Sequence, residues 1–287
     1  SIDCGKAIFN TGLWHFWISF PILNPFLGHT NYPMLTVISP AKTLDFEAPP
    51  STKKSSLPAF TKQTKELVLI MRTKTAKELS SLMGISPKLA ELNVTRYQGF
   101  KSQSKTGKQA ISAFKGDVYI GLDADKYTER DFTFAQKSLR ILSGLYGILK
   151  PLDLIQPYRL EMGTKLSNAK GINLYDFWQD LISETLTKEL AEHRNKSLIN
   201  LASNEYFKVV RTDAMKASIV TPVFKDYSNG DYRVLSFFAK KARGAMASFI
   251  VQNRINNPEN LKEFNEDGYK FNESFSSEER WVFTRKG

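Results

Sequence analysis

The sequence predicts an α+β or mixed α/β fold: a single compact domain with a mixed central sheet, surrounding helices and a helix-hairpin-helix element. Apolar, β-branched runs at residues 35–39 and 196–203 predict two buried strands. Helical periodicity accounts for much of the remainder, and strands and helices do not alternate regularly. The order therefore argues against a standard doubly wound sheet, and no shift in composition after residue 34 marks a second domain.

Composition and charge narrow the classes of partner and of site. The 287 residues carry a formal net charge of +11, which favours polyanions: nucleic acid first, phosphorylated small molecules or an anionic membrane surface second. A single cysteine, Cys4, excludes an intrachain disulfide and a thiolate metal cluster. Beyond the first 33 residues His193 stands alone, so zinc, haem and iron–sulfur sites lack ligands. We expect a cytoplasmic protein with no metal and no cofactor.

Residues 1–33 differ in character from the rest of the chain. A dense aromatic run at residues 13–20 lacks the basic start and clean apolar stretch of a signal peptide, and it is too short to cross a bilayer. We interpret residues 1–33 as a non-native or disordered N-terminal extension, with Met34 as the native start. Residues 34–287 then form the domain. A membrane-surface anchor is the alternative for the first segment.

The elements after the first strand are predicted in order from periodicity and turn signals. Helices are expected at 61–82, 131–142, 175–192 and 240–255. Strands are expected at 116–122, 217–225 and 232–238, with a turn at 228–230 between the last two. Residues 268–285 alternate aromatic side chains and are expected to close the sheet.

A helix-hairpin-helix candidate lies at about residues 76–92. Gly84 suits the C-cap of its first helix, Ser86 the N-cap of its second, and Pro87 the first turn. The second helix begins with free backbone N–H groups and a positive dipole end, which can hold a DNA phosphate. A plain helical hairpin is the alternative, since the paired glycines of strong examples are absent. The predicted DNA-binding residues are Gly84, Ser86, Lys88, Arg96 and Lys101.

Residues 138–163 carry the densest polar groups on the most constrained backbone. Apolar residues with helical spacing open the segment, and glycines at 144 and 147 and prolines at 151 and 157 then fix its turns. Such an arrangement is typical of a site, and a buried turn whose polar groups satisfy one another is the alternative. If the protein is an enzyme, the candidate catalytic residues are Glu161, Lys42, Tyr146 and Arg159.

Residues from three other segments of the chain are expected to lie close to residues 138–163, and together they predict a basic cleft. Lys42 follows the first buried strand, and Tyr206 follows the second, where an α/β sheet often faces a ligand crevice. Lys240 and Arg243 share one helical face; cations in the first turns of a helix oppose its dipole, which indicates an anionic partner, with a salt-bridged surface as the alternative. The predicted cleft residues are Lys42, Ser143, Arg159, Glu161, Tyr206, Lys208, Lys240 and Arg243.

Several segments together resemble one family. They are MLTVISPAKTLDF, LMGISPKLAELNVTRY, AFKGDVYIGL, LRILSGLYGILKPLDLIQPYRLEMG, INLASNEYFK and FFAKKARGAMASFIVQNR, in order from Met34 to about Phe283. They are similar to the YaaA family of bacterial peroxide stress resistance proteins. The resemblance implies a cytoplasmic protein of oxidative stress that keeps intracellular iron low and protects DNA. It also implies an unusual α/β fold with a helix-hairpin-helix and a basic cleft that binds DNA, and it supplies no established reaction.

Two functions stay open from the sequence. The first is a non-enzymatic protein that binds duplex or distorted DNA largely without sequence preference, because phosphates carry no base information. The second is an enzyme acting on a phosphorylated or nucleobase-containing small anionic molecule, with Glu161 as general acid or base and Arg159 clamping the anion. A closed pocket near Glu161 and Lys42 favours the enzyme, and an open groove as wide as a duplex favours DNA. Direct iron binding by carboxylates ranks third, since no acidic cluster has convincing spacing, and DNA binding ranks first.

Overall fold

A central mixed sheet organises the fold and confirms the predicted mixed α/β class. The computed structural model describes residues 33–101 and 106–286, so the predicted extension, apart from its last residue, lies outside the described residues. Within these two stretches, no helix has both the length and the apolar character that crossing a bilayer requires.

Strands and helices are numbered separately in chain order. The strands are β1 (Leu35–Ile38), β2 (Thr43–Leu44), β3 (Lys108–Gln109), β4 (Phe114–Lys115), β5 (Leu139–Ser143), β6 (Gly147–Leu149), β7 (Leu154–Ile155), β8 (Ser197–Leu201), β9 (Ser218–Ser228), β10 (Asp231–Arg233), β11 (Lys270–Phe271) and β12 (Arg280–Arg285). The α-helices are α1 (Thr61–Arg72), α2 (Ala76–Met83), α3 (Pro87–Gly99), α4 (Ala110–Ala113), α5 (Asp117–Leu122), α6 (Glu129–Ser138), α7 (Leu174–Glu192), α8 (Asn204–Phe207) and α9 (Ser236–Gln252).

The sheet runs in the order β11-β12-β9-β8-β1-β5-β6, with β10 paired to β9. β1 pairs in parallel with β8 on one side and with β5 on the other, and β9 and β12 extend the parallel part. Every residue of β1, β5 and β8 is buried, as expected of parallel strands covered on both faces. The chain leaves β1 toward β5 and leaves β8 toward β9, in opposite directions along the sheet. β1 and β8 therefore flank a topological switch point.

Residues 139–143 form a strand, so the helix predicted over 131–142 is wrong in its last turn. A capping box between Thr128 and Asp131 starts α6, and the helix ends at Ser138. The next five residues pair with β1 on one side and with β6 on the other. A short apolar run fits either a helix or a strand, and here the sheet pairing decides between them.

Residues 117–122 form a helix, and the strand predicted over 116–122 is wrong. α5 packs directly on α9, and glycines at the contact let the two backbones meet. A Cβ atom at Gly244 would overlap the carbonyl oxygen of Val118, and one at Gly121 would overlap that of Lys241. Alternation over so few residues does not distinguish a strand from a buried helix, whereas this helix–helix contact does.

α9 begins at Ser236, four residues before the predicted start. Lys240 and Arg243 therefore lie in its second turn, where the helix dipole no longer opposes them appreciably. The strand predicted over 232–238 is correspondingly shorter, because β10 ends at Arg233. The helix dipole therefore gives no indication of an anionic partner here, and the significance of these two cations rests on their surroundings.

Other predicted elements are present. α7 covers the long helix expected at 175–192. The β9–β10 hairpin turns at Asn229 and Gly230, which both have positive φ as its tight turn requires. β12 pairs with β9, and β11 pairs with β12, so the C-terminal residues extend the sheet as expected.

Candidate functional site

A cavity of about 620 Å³ lies at the carboxyl ends of β1 and β8. Its walls are the loop after β1, the start of α5, the turn after β8 and one face of α9. The charged residues that line it are Lys42, Lys115, Lys240, Arg243, Asp117 and Glu205. In residues 33–101 and 106–286, no three His, Cys, Asp or Glu side chains come together as a metal ion requires. Four of the six charged lining residues are cations, so the cavity is suited to an anion held by nitrogen donors.

Two serines join the strand ends that form the floor of the cavity. Ser203 donates its backbone N–H to Ser39 Oγ at 2.8 Å, and the two hydroxyl oxygens lie 3.3 Å apart. The Tyr119 hydroxyl donates to the carbonyl oxygen of Ser39 at 3.2 Å. Burial raises the pKa of Tyr119, so its hydroxyl keeps the proton that it donates. These bonds fix the loop after β1 against the turn after β8.

Glu161 joins two of the predicted site residues at the edge of the cavity. Lys42 Nζ lies 2.9 Å from Glu161 Oε2, and Arg159 Nη2 lies 2.9 Å from Glu161 Oε1. The Lys42 side chain is 61% exposed, whereas those of Arg159 and Glu161 are 18% and 19% exposed. Glu161 thus forms ion pairs with an exposed cation, Lys42, and with a mostly buried one, Arg159. Of these three residues, Lys42 lines the cavity.

Ser143 and Tyr146 lie in the buried core and not in the cavity, which corrects their predicted place in the cleft and the catalytic set. The Ser143 and Tyr158 hydroxyl oxygens are 2.6 Å apart, and Ser143 Oγ accepts from the backbone N–H of Tyr146 at 3.1 Å. The Tyr146 hydroxyl accepts from the backbone N–H of Gln156 at 3.0 Å, and burial raises the pKa of Tyr146. Both side chains thus have hydrogen-bond partners within the protein, as the alternative of a buried turn predicts.

Tyr206 lines the cavity, whereas Lys208 does not. The Tyr206 side chain is buried, which raises its pKa. Lys208 is exposed, and its Nζ lies 5.2 Å from the centre of the Tyr175 ring. Lys208 therefore leaves the predicted cleft set because it packs on an aromatic face outside the cavity.

Asp117 and Glu205 line the cavity and were missed in the sequence. The alternating pattern predicts a strand at Asp117, and Glu205 lies between Asn204 and Tyr206, which draw attention first as polar residues after β8. Glu205 Oε1 accepts the backbone N–H of Gly163 at 3.1 Å, and its carbonyl oxygen accepts from the Tyr175 hydroxyl at 2.8 Å. Its position at the end of a buried parallel strand was the available signal.

Arg243 differs from Lys42 and Lys115 in the same cavity because it has no carboxylate partner among the described residues. It is partly buried on α9, and burial lowers its pKa. Neither it nor Lys240 forms a hydrogen bond or ion pair with another of the described residues. Lys42 and Lys115, in contrast, each face a carboxylate: Glu161 at 2.9 Å and Asp45 at 3.8 Å.

The two helices of the predicted hairpin, α2 and α3, are present, and its DNA-binding form stays a prediction. Gly84 ends α2 in the left-handed conformation, and Ser86 Oγ caps α3 by accepting from Leu89 N–H at 3.4 Å. Pro87 has no N–H, so Lys88 supplies the first-turn N–H that stays open. The start of α3 is therefore less rich in free donors than the sequence indicated.

The cations that follow the hairpin turn differ in exposure. Lys88 is exposed in the first turn of α3. Arg96 is partly buried, which lowers its pKa. Lys101 is exposed, and its backbone N–H donates to Gln156 Oε1 at 2.9 Å. Lys88 and Lys101 thus present their charges to solvent, and Arg96 does so only in part.

Comparison with known proteins places the chain in a family. The family model described as peroxide stress protein YaaA matches residues 34–275. A UPF0246 protein of Teredinibacter turnerae is 52% identical over 255 residues, which cover 88% of this chain and 100% of the relative. UPF0246 proteins of Janthinobacterium sp. (strain Marseille) and Colwellia psychrerythraea are each 51% identical over 255 residues, covering 88% of this chain and 99% of each relative. The chain therefore belongs to the family of the peroxide stress protein YaaA.

Proposed function

We propose that this protein binds DNA in the cytoplasm during peroxide stress, protecting the DNA and helping to limit intracellular iron. Family membership supports the link to peroxide stress. The net charge of +11 supports a polyanionic partner. DNA, duplex or distorted, is the partner that we assign to the α2–α3 hairpin.

The observation that carries the proposal is the exposed Lys88 at the first turn of α3. Its backbone N–H and its ammonium group lie on the same turn, at the positive end of a 13-residue helix. A DNA phosphate can accept from both, and the space beside Gly84 is open, since no atom lies within 4 Å of the position that a Cβ would take there. Lys101 and the part-exposed Arg96 supply charge for neighbouring phosphates. Contacts of this kind position DNA without reading its bases.

A salt titration of DNA binding tests the proposal. Three phosphate contacts predict that affinity falls by about forty-fold between about 50 and 200 mM salt, since each contact adds about −0.9 to the slope of log affinity against log salt. Duplex, single-stranded and bubble DNA are compared, because a phosphate-directed site binds all three. Affinity that does not change with salt contradicts the proposal.

The matched variants are Lys88→Ala and Lys188→Ala. Both remove one exposed lysine from a helix, but Lys188 lies on α7. We expect Lys88→Ala to weaken binding to all three DNAs and to reduce the salt slope by about 1. Lys188→Ala is expected to bind like the wild type. Equal losses in the two variants would show that overall charge, and not the hairpin, holds the DNA.

An enzyme acting on a phosphorylated or nucleobase-containing small molecule is the second candidate. The observation that favours it is the Lys42–Glu161–Arg159 network, in which Lys42 also lines the cavity. Turnover of phosphomonoesters and nucleosides is assayed with the wild type and with Glu161→Gln, which keeps the shape and removes the charge. Turnover by the wild type that is lost in Glu161→Gln supports this candidate. Turnover that survives in the variant contradicts the role of Glu161.

A further inference from the structure

We infer that the cavity at the carboxyl ends of β1 and β8 binds a small phosphomonoester that also carries hydroxyl or amino groups, such as a nucleoside monophosphate or a sugar phosphate. Arg243 and Lys240 hold the phosphate, and Glu205 and Asp117 face the remainder of the molecule. The inference does not depend on DNA binding by the hairpin. It names the ligand class for the cavity of the second candidate function, and it concerns binding and not turnover.

The topology places the cavity where an open parallel sheet takes ligands. The connections that leave β1 and β8 run in opposite directions along the sheet, so the chain segments that follow the two strands diverge and leave a crevice beyond the strand ends. The residues immediately after the two strands line the cavity, among them Lys42 after β1 and Glu205 after β8. The Ser39–Ser203 hydrogen bond closes the floor of that crevice.

The size of the cavity fits a small molecule. Its volume of about 620 Å³ lies within the range of about 300–1,000 Å³ that is typical of small-molecule sites. A single phosphate ion would leave most of that space to water. A ligand of nucleotide size fills it and reaches both α9 and the turn after β8.

Two of the four cations in the cavity have no counter-charge. Lys42 and Lys115 face Glu161 and Asp45, whereas Arg243 and Lys240 have no partner within the described residues. A partly buried guanidinium without a counter-charge can form charge-assisted hydrogen bonds with an anionic ligand. The planar fork of Arg243 matches two oxygens of one phosphate, and Lys240 adds a second charge on the same face of α9.

Close helix packing fixes Arg243 in place. Its neighbour Gly244 lies against the backbone of α5 at Val118, where a side chain would not fit. Residue 118 and the three before it also line the cavity. The guanidinium is therefore carried on a rigid pair of helices, which lowers the entropic cost of binding an anion.

The two carboxylates define the class of ligand further. Glu205 is held by the backbone N–H of Gly163 at 3.1 Å, and Asp117 lies at the start of α5. Carboxylates repel additional phosphate groups and accept hydrogen bonds from hydroxyl and amino groups. A monoester bearing such groups therefore fits better than a polyphosphate or inorganic phosphate.

Calorimetric titration of the full chain tests the inference. The probes are AMP, ribose 5-phosphate, adenosine, ATP and inorganic phosphate, each at about 0.15 M salt. We expect AMP and ribose 5-phosphate to bind, and adenosine, ATP and inorganic phosphate to bind at least tenfold more weakly. Adenosine binding as tightly as AMP, or no binding of either monoester to folded protein at millimolar concentration, overturns the inference.

Variants locate the site. Arg243→Ala is expected to weaken AMP binding at least tenfold, and Arg243→Lys less, because lysine keeps the charge and loses the fork. Circular dichroism checks whether Arg243→Ala folds. If it does not, Lys240→Ala, at an exposed position, is the second variant, and we expect it to weaken AMP binding several-fold. Lys188→Ala is the control and is expected to bind AMP like the wild type. Wild-type affinity in folded Arg243→Lys and Lys240→Ala overturns the assignment.

A comparison of two oligonucleotides distinguishes a cavity that binds a free small molecule from one that binds the phosphorylated end of DNA. A single-stranded oligonucleotide is compared with and without a 5′-phosphate. If the 5′-phosphate strengthens binding while AMP and ribose 5-phosphate do not bind, the cavity takes a DNA end and the inference is wrong. Failure of the hairpin proposal looks different: DNA affinity is then independent of Lys88, whatever happens to AMP.

Discussion

Lys42 Nζ and Glu161 Oε2 lie 2.9 Å apart, joining the loop after β1 to the segment that follows the core strands β5 and β6. The other Glu161 oxygen is equally close to Arg159. One carboxylate thus serves two cations of unequal exposure. We expect the ion pair of Glu161 with the buried Arg159 to contribute more to stability than its ion pair with the exposed Lys42.

We therefore expect Glu161→Ala to cost more stability than Lys42→Ala. Removing Glu161 leaves the mostly buried Arg159 guanidinium without its acceptor, a loss of about 1.5–3 kcal/mol for a bond to a charged group. Removing Lys42 breaks an exposed pair that contributes about 0–1 kcal/mol. Urea unfolding of both variants measures the difference. Equal losses would contradict the unequal roles of the two cations.

Gly244→Ala is expected to destabilise the protein strongly. The new methyl group would overlap the Val118 carbonyl oxygen and press α5 from α9, at a cost of about 1–3 kcal/mol or more. Gly99→Ala is the matched control, because no atom lies within 4 Å of a Cβ at that helical position. There the change should stabilise by up to about 1 kcal/mol. Thermal unfolding compares the two, and similar Tm values would refute the close packing.

His193 should make stability depend on pH. Burial, aided by the nearby Arg140, lowers the pKa of His193 below its ordinary 6.5, although a hydrogen bond with the Pro33 carbonyl opposes the shift. As pH falls below 6.5, the unfolded chain binds a proton that the folded chain resists. The free energy of unfolding is therefore full above pH 6.5 and declines toward acid.

Urea unfolding of the wild type and of His193→Gln between about pH 7.5 and 5 measures this effect. The variant is expected to lose part of the decline, because glutamine does not titrate. A variant with the same pH dependence as the wild type would rule out His193 as the cause.

The sequence predicted the buried strands β1 and β8 and the residues that follow them correctly, but it did not predict the neighbouring β5 and α5. β1 and β8 are continuous apolar runs, and the residues after them, Lys42 and Tyr206, come together as carboxyl ends of adjacent parallel strands do. β5 and α5 were misassigned because each is too short for its periodicity to be decisive. Pairing with β1 and contact with α9 determine them, and both partners are distant in the sequence.

The distribution of charge at the site was not predictable from sequence. Lys42, Arg159, Lys240 and Arg243 look alike as cations in a basic chain. Only the fold shows that Glu161 forms ion pairs with Lys42 and Arg159. It also shows that Lys240 and Arg243 have no ion-pair partner among the described residues. Side-chain pairing across distant segments depends on the relative placement of loops and helices, which local patterns do not encode.

Cross-titration measures most directly whether the hairpin and the cavity are two separate phosphate-binding sites. Duplex DNA and AMP are each titrated into Lys88→Ala and Arg243→Ala at one salt concentration. We predict that Lys88→Ala loses DNA affinity and keeps wild-type AMP affinity, while Arg243→Ala does the reverse. Parallel loss of both affinities in either folded variant would contradict two separate sites.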